Sequence, residues 1–201
     1  MSVLSNFIVF EGCDGSGTST AISRLIKRYE QAGVKAIFTA EPTETETGIL
    51  LRSALAGKSR FSPQTLAYLF AADRAEHLYG KGGIVELCGQ APVICDRYVL
   101  SSLVYQGIEC GDELPSRLNS SFPAPEKLFF FDVEIETAQK RIAGRELTEI
   151  YEGADFQQKV RAAYRSKLDF CRAQGSAVYI VDASKPPEEV EEYVWTALCS
   201  R

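Results

Sequence analysis

The chain has 201 residues, 45% hydrophobic and 24% charged, a soluble composition that suits one domain with a sizeable core. Its 22 Lys plus Arg against 27 Asp plus Glu give a formal charge of −5, which excludes a surface devoted to nucleic acid or anionic lipid; any phosphate-binding charge must be concentrated locally. No apolar run approaches the roughly 20 residues that span a bilayer, and Glu11 is reached without a basic segment and secretory core, so a single cytoplasmic domain over residues 1–201 is expected.

In chain order, Phe7–Glu11, Ala36–Thr39, Val93–Asp96, Leu128–Asp132 and Val178–Asp182 are short apolar runs rich in β-branched and aromatic residues. Helical patterns separate them. Ser19–Ala32 is closed by Gly33, and a long helix opens at Ser62-Pro63 and runs through Leu66, Leu69, Phe70 and Leu78. Asp155–Gln174 carries a helical period through Phe156, Val160, Tyr164, Leu168 and Cys171, and Pro186-Pro187 opens the last helix, with Trp195 turned inward and its acidic residues solvated. Continuous apolar strands alternating with helices predict an α/β fold, a five-stranded parallel sheet covered on both faces. Glu11, Asp96, Asp132 and Asp182 close four of the strands, at the edge where such sheets bind ligands.

Between Gly144 and Gly153 a polar stretch with Arg145, Glu146, Glu149 and Glu152 suits a mobile flap between two helices. The six cysteines stand singly, with no C-x-x-C pair and only His77 to share a metal, so reduced thiols are expected. Cys95 is read as a small buried hydrophobe and Cys13 as a spacer in a functional loop. His77 is expected at the surface or an interface rather than as a base.

The first strand runs into Gly12-Cys13-Asp14-Gly15-Ser16-Gly17-Thr18-Ser19-Thr20 and then a helix, the context of a phosphate-binding P-loop. Main-chain N–H groups there wrap a phosphate, and the helix points its positive end at it. The seventh position of the pattern calls for lysine and holds Thr18, whereas Ser19 keeps the hydroxyl expected of a Mg²⁺ ligand. The amides remain, so binding should survive the change better than chemistry.

Further motifs join the loop: Phe10 to Gly17, Glu41-Pro42 with Gly48 and Arg52, Leu69 to Arg74, Asp96-Arg97-Tyr98 with Ser101-Ser102 and Tyr105-Gln106-Gly107, and Asp182-Ala183-Ser184. As an ordered set they resemble the thymidylate kinase (dTMP kinase) family over almost the whole chain. The resemblance implies a P-loop nucleoside monophosphate kinase-like three-layer fold, a flap of the bacterial type at 144–153, transfer of the γ-phosphoryl group of ATP to dTMP giving dTDP, Mg²⁺ as cofactor and a homodimer. It assigns Asp14 to the sugar 3′-hydroxyl and metal region, and Arg97 to the acceptor phosphate, where a planar fork of donors matches phosphate oxygens. Phe70 would stack on thymine, Arg74 would donate to a base oxygen, and Ser102 and Gln106 would complete the base pocket. Tyr105 would close against the 2′ position and disfavour ribose. Arg52 is a further phosphate candidate, and Glu41 a carboxylate near Mg²⁺ or Arg97. Arg141 and Arg145 are the flap-side arginines for ATP, with Arg145 reaching the transferring group or, alternatively, a solvated charge.

The sequence departs from the family pattern at several points. Ala40 stands where arginine often precedes Glu-Pro, Ile150 where the flap would carry another arginine, and Gly15 where some relatives place an arginine inside the loop. With Thr18, these imply a weakened donor site, because a cation aimed at the transferring group is worth about a hundredfold to a thousandfold in rate. Two other readings stay open at this point: a nucleotide-binding relative that serves as a sensor or partner protein without catalysing transfer, and another P-loop nucleoside or nucleotide kinase.

Overall fold

In a computed structural model that describes residues 2–143, 151 and 153–200, five strands form one parallel sheet: β1 (Val3–Gly12), β2 (Ile37–Ala40), β3 (Val93–Asp96), β4 (Ala124–Asp132) and β5 (Ala177–Asp182), in the order β2-β3-β1-β4-β5. The expected α/β architecture is present. β1 starts four residues before the apolar run, because Val3 and Leu4 pair with Ala124 and Pro125 across a register shift before Ile8 resumes with Lys127. Asn6, in that shift, has φ 62°, a conformation asparagine tolerates.

Helices cover both faces because β1 is apolar on both. Phe7 and Val9 pack with Leu78 of α3 (Pro63–Tyr79), Ile84 and Cys88 of α4 (Ile84–Cys88), and Phe122. Ile8 and Phe10 join Leu25 and Tyr29 of α1 (Thr18–Ala32) in the larger cluster. That cluster takes in Leu100 and Val104 of α5 (Val99–Cys110), Ala138 of α7 (Ile135–Ile142), Val160, Tyr164 and Leu168 of α8 (Ala154–Ala173), and Val194 of α9 (Pro187–Cys199). α2 (Glu46–Leu55) packs through Leu51 and Ala54 on Leu66 of α3, and α6 (Glu113–Asn119) follows α5.

The helix ends follow sequence cues. Ser62 caps α3 by accepting from Thr65 N–H at 3.1 Å, with Pro63 as first residue, and Gly33 ends α1 in the left-handed region at φ 65°. The sheet's carboxyl edge collects Glu11, Ala40, Asp96 and Asp132, and so sets the place of the site.

Candidate active site

The strand ends open into a cavity of about 620 Å³. Residues 13–20 wall one side, and Glu41, Pro42, Arg52, Phe70, Arg74, Arg97, Ser101, Ser102, Tyr105 and Gln106 the other, with Arg141 at the donor rim. Of the residues singled out from the sequence, Gly12 lies beneath the loop, where a Cβ would stand 2.5 Å from Ser16 Oγ. Arg145 and positions 144–150 and 152 of the proposed flap lie outside the described residues.

The loop's shape rests on glycine where φ turns positive. Gly15 has φ 78°, and a Cβ there would meet Ala138 O of α7 at 2.3 Å; a side chain at that position needs both the backbone and α7 to move. Gly17, at φ 97°, turns the loop into α1. Cys13 is buried, and burial and Asp14 push its thiol up to about 11, so it is a protonated spacer. Thr18 donates a hydroxyl hydrogen bond to Asp96 Oδ2 at 3.4 Å, and Asp96 Oδ1 is buried with no partner among the described residues. Burial raises the Asp96 carboxyl above its ordinary range.

Arg97 occupies the tip of the third strand with φ 68°, a conformation that costs a non-glycine residue about 1–3 kcal/mol, and its N–H bonds Phe10 O at 2.8 Å. The guanidinium donates to Asp14 Oδ1 at 2.5 Å, to Tyr105 Oη at 3.3 Å and to Ser101 Oγ at 3.4 Å, and it lies 5.3 Å from the centroid of the Tyr105 ring. Asp14 takes its second bond from Gln157 Nε2 at 3.0 Å.

Glu11 supports this pair from below. It has no exposure and accepts from Tyr98 N–H (2.9 Å), Ser101 N–H (3.2 Å), Ser101 Oγ–H (2.6 Å) and Tyr164 Oη–H (3.0 Å), thereby capping α5 from another strand. Burial drives its carboxyl up to about 7 against the pull of Ser101, Arg97 and Tyr164.

Arg74 is 1% exposed, and all its donors have protein acceptors. Nε and Nη2 give to Glu41 Oε2 at 3.0 and 2.6 Å, both terminal nitrogens to Ser102 Oγ, and Nη1 also to Asn119 Oδ1. The base-oxygen contact expected of Arg74 therefore meets a guanidinium already committed to Glu41, Ser102 and Asn119. Glu41 in turn faces Arg74 and His77, whose Nδ1 lies 3.3 Å away, instead of Arg97. His77, expected at the surface or an interface, is 11% exposed at the side chain and also bonds Thr39 Oγ1 at 2.6 Å. Arg52 points its donors at the Pro42 and Thr43 carbonyls. Phe70 is half-buried at the wall, and Gln106 Oε1 is buried and unpartnered among the described residues.

Asp132 and Asp182, acidic strand ends like Glu11 and Asp96, serve structure. Asp132 accepts from Arg161 and Arg165, and Asp182 ties Ser184 into the turn before α9. Arg141 donates to Ala183 O at 2.9 Å beside that turn. Glu11 and Asp96 were visible as strand-end acids. Tyr164, Gln157 and Asn119 give no signal beyond helical spacing, since the site residues they hold, Glu11, Asp14 and Arg74, lie 45 to 153 positions away.

The thymidylate kinase family model matches residues 10–194. A thymidylate kinase homologue of Treponema pallidum (strain Nichols) is 44% identical over 198 residues, covering 96% of this chain and 95% of the relative. One from Aeropyrum pernix is 40% identical over 87% of this chain and 84% of its own length, and the thymidylate kinase of Symbiobacterium thermophilum is 38% identical over 94% and 90%. With a P-loop, a strand-end arginine and a second wall of aromatic and polar side chains meeting in one cavity, the chain belongs to the thymidylate kinase family of nucleoside monophosphate kinases.

Proposed function

We propose that the protein transfers the γ-phosphoryl group of ATP to dTMP, giving dTDP. The observation that carries this reading is the Arg97–Asp14 pair, which stands where the phosphate loop meets the second wall of the cavity. Arg97 holds the dTMP phosphate in line with the γ-phosphoryl group and spreads positive charge over its equatorial oxygens; the attacking oxygen is already ionised, so positioning and charge replace base catalysis. Asp14 orients Arg97 and accepts from the sugar 3′-hydroxyl.

On the acceptor wall, Phe70 stacks on thymine and Gln106 Oε1 accepts from the base N3–H, which would satisfy a buried acceptor. Ser102, held in place by Arg74, faces the base edge, Tyr105 closes on the 2′ position, and Glu41, Pro42 and Arg52 shape the wall. On the donor wall, main-chain N–H groups of Gly12 to Thr20 cradle ATP, with Arg141 at its base.

The donor set fits Mg²⁺, since the Ser19 hydroxyl and the Asp14 carboxylate, both hard oxygens, line the same cavity. Mg²⁺ held there with the nucleotide neutralises charge on the β- and γ-phosphates. Thr18 lowers turnover relative to a lysine at that position by about a hundredfold to a thousandfold.

Among the described residues no helix is long and apolar enough to cross a membrane, and a cytoplasmic enzyme is the proposed setting. The proposed homodimer would cover the apolar face of α2 and α3, where Ile49 is 60% and Tyr68 53% exposed.

A coupled ADP-release assay with dTMP, dUMP, CMP and AMP, with and without Mg²⁺, tests the reaction. Preferred turnover of dTMP is expected. Equal rates with all four acceptors, or none with dTMP at high enzyme, would refute it.

A further inference from the structure

Among the described residues around the phosphate loop, Glu11 and Asp96 have no cation beside them, but Glu11 accepts four hydrogen bonds and Asp96 does not. Among the described residues, Arg97 is paired with Asp14 and Arg74 with Glu41; Arg52 is turned to the carbonyls of Pro42 and Thr43, Arg141 to Ala183 O, and Lys185 to Glu189 at 3.6 Å. Asp96 has no Lys or Arg within ion-pair distance among the described residues. One of its oxygens receives only the long Thr18 contact of 3.4 Å, and the other, buried in the cavity wall, receives nothing. In a P-loop the lysine would bring its ammonium to this place, reaching the β- and γ-phosphates.

Resting on the phosphotransfer reading above, we propose that a monovalent cation, K⁺ by preference, binds between the Thr18 hydroxyl, the Asp96 carboxylate and the nucleotide's phosphate oxygens and takes the place of the lysine ammonium. A hydroxyl oxygen on Cβ with an ion one coordination bond beyond it covers most, though not all, of the reach of a lysine side chain. The ion carries the same single charge. Its donors are few, irregular and oxygen-only, which suits a large, weakly hydrated cation; Mg²⁺ demands near-octahedral geometry and is accommodated by the Ser19 hydroxyl at the start of α1. Threonine retains a coordinating oxygen where valine, of the same shape, offers none.

The experiment keeps Mg²⁺ and ionic strength constant and exchanges choline, Na⁺, K⁺ and NH₄⁺ chlorides. Two quantities are read: the rate of ADP formation with ATP and dTMP, and the affinity for a non-hydrolysable ATP analogue by calorimetry. K⁺ and NH₄⁺ should raise the rate and tighten the analogue by about tenfold over choline, the size of one lost charge-assisted contact. Thr18→Val should lose that response at an unchanged melting temperature, and Thr18→Lys should be fast and indifferent to the salt cation.

Equal rate and affinity in choline and K⁺ would overturn the ion site, because Mg²⁺ alone would then suffice, and would leave the phosphotransfer reading intact. A Thr18→Val protein that responds like the parent would also overturn it. K⁺-tightened nucleotide binding with no turnover of dTMP in any salt would uphold the ion site and end the phosphotransfer reading.

Discussion

The two walls of the cavity are built on different principles. On the acceptor side, polar side chains are saturated by one another: Arg74 with Glu41, Ser102 and Asn119, and Arg97 with Asp14, Ser101 and Tyr105, the latter pair underlain by Glu11 and Tyr164. On the donor side, the loop offers main chain, glycine and short hydroxyls, with Ser19 and Thr20 exposed and Thr18 loosely held. A wall whose rotamers are fixed in advance loses little entropy when a small acceptor arrives, and so gives selectivity. A wall of amides binds any triphosphate and leaves rate to whatever cations join it. Changes on the first wall should therefore cost folding and specificity together, and changes on the second mainly rate.

The largest test of that contrast is Arg74→Met. It leaves Glu41 charged and 3% exposed at the side chain, with His77 as its remaining partner, and should cost about 3–5 kcal/mol in urea unfolding. Arg74→Met with Glu41→Leu should recover most of the loss. If the single variant unfolds like the parent, the acceptor wall is not held by this pair. Next comes Arg97→Lys. A point charge cannot span Asp14, Ser101, Tyr105 and a phosphate at once, so kcat/KM for dTMP should fall by about 10²–10³ while the melting temperature barely moves. A loss below fivefold would remove Arg97 from the reaction.

Glu11 sharpens the comparison through pH. Its carboxyl is raised from 4.5 to about 7 in the folded state, so between those values the folded protein holds a proton that the unfolded chain has lost. Stability contributed by this group is thus greatest in acid and declines as pH rises through that window, by at most about 1.4 kcal/mol per pH unit. Denaturant unfolding from pH 5 to 7.5 should show the decline, and Glu11→Gln should flatten it. An identical slope in the variant would place the titrating group elsewhere.

How far these walls were legible beforehand follows the same division. The donor wall is one contiguous strand–loop–helix, and Gly12, Gly15 and Gly17 announce it because backbone geometry there is dictated by neighbouring residues. The sheet was equally plain, since runs such as Phe7 to Phe10 are apolar on both faces. The acceptor wall is assembled from residues far apart in the chain. Glu11 and Tyr164 are 153 positions apart, and Tyr164 follows Val160 at core spacing, so its hydroxyl's role had no local sign. Arg74 is the instructive case. Its side chain was recognisable as part of the pocket, but the acceptors that saturate it, Glu41 and Asn119, become neighbours only when β2, α3 and α6 converge.

Gln157 gives the smallest effect and the finest discrimination, because it sits on neither wall yet touches one. Its Nε2 donates to Asp14 Oδ2 at 3.0 Å and to Tyr151 O at 2.8 Å, so one side chain joins α8, the segment before it and the carboxylate beside Arg97. Gln157→Ala removes a bond from Asp14 without removing any group from the cavity lining. A positioning role of this kind should lower kcat by about fivefold to tenfold, worth about 1 kcal/mol, with little change in the KM for dTMP. Gln157→Glu sets a second carboxylate against Asp14 and should be worse than alanine. If alanine and glutamate behave alike, Gln157 acts only by packing, and the orientation of Asp14 belongs to Arg97 alone.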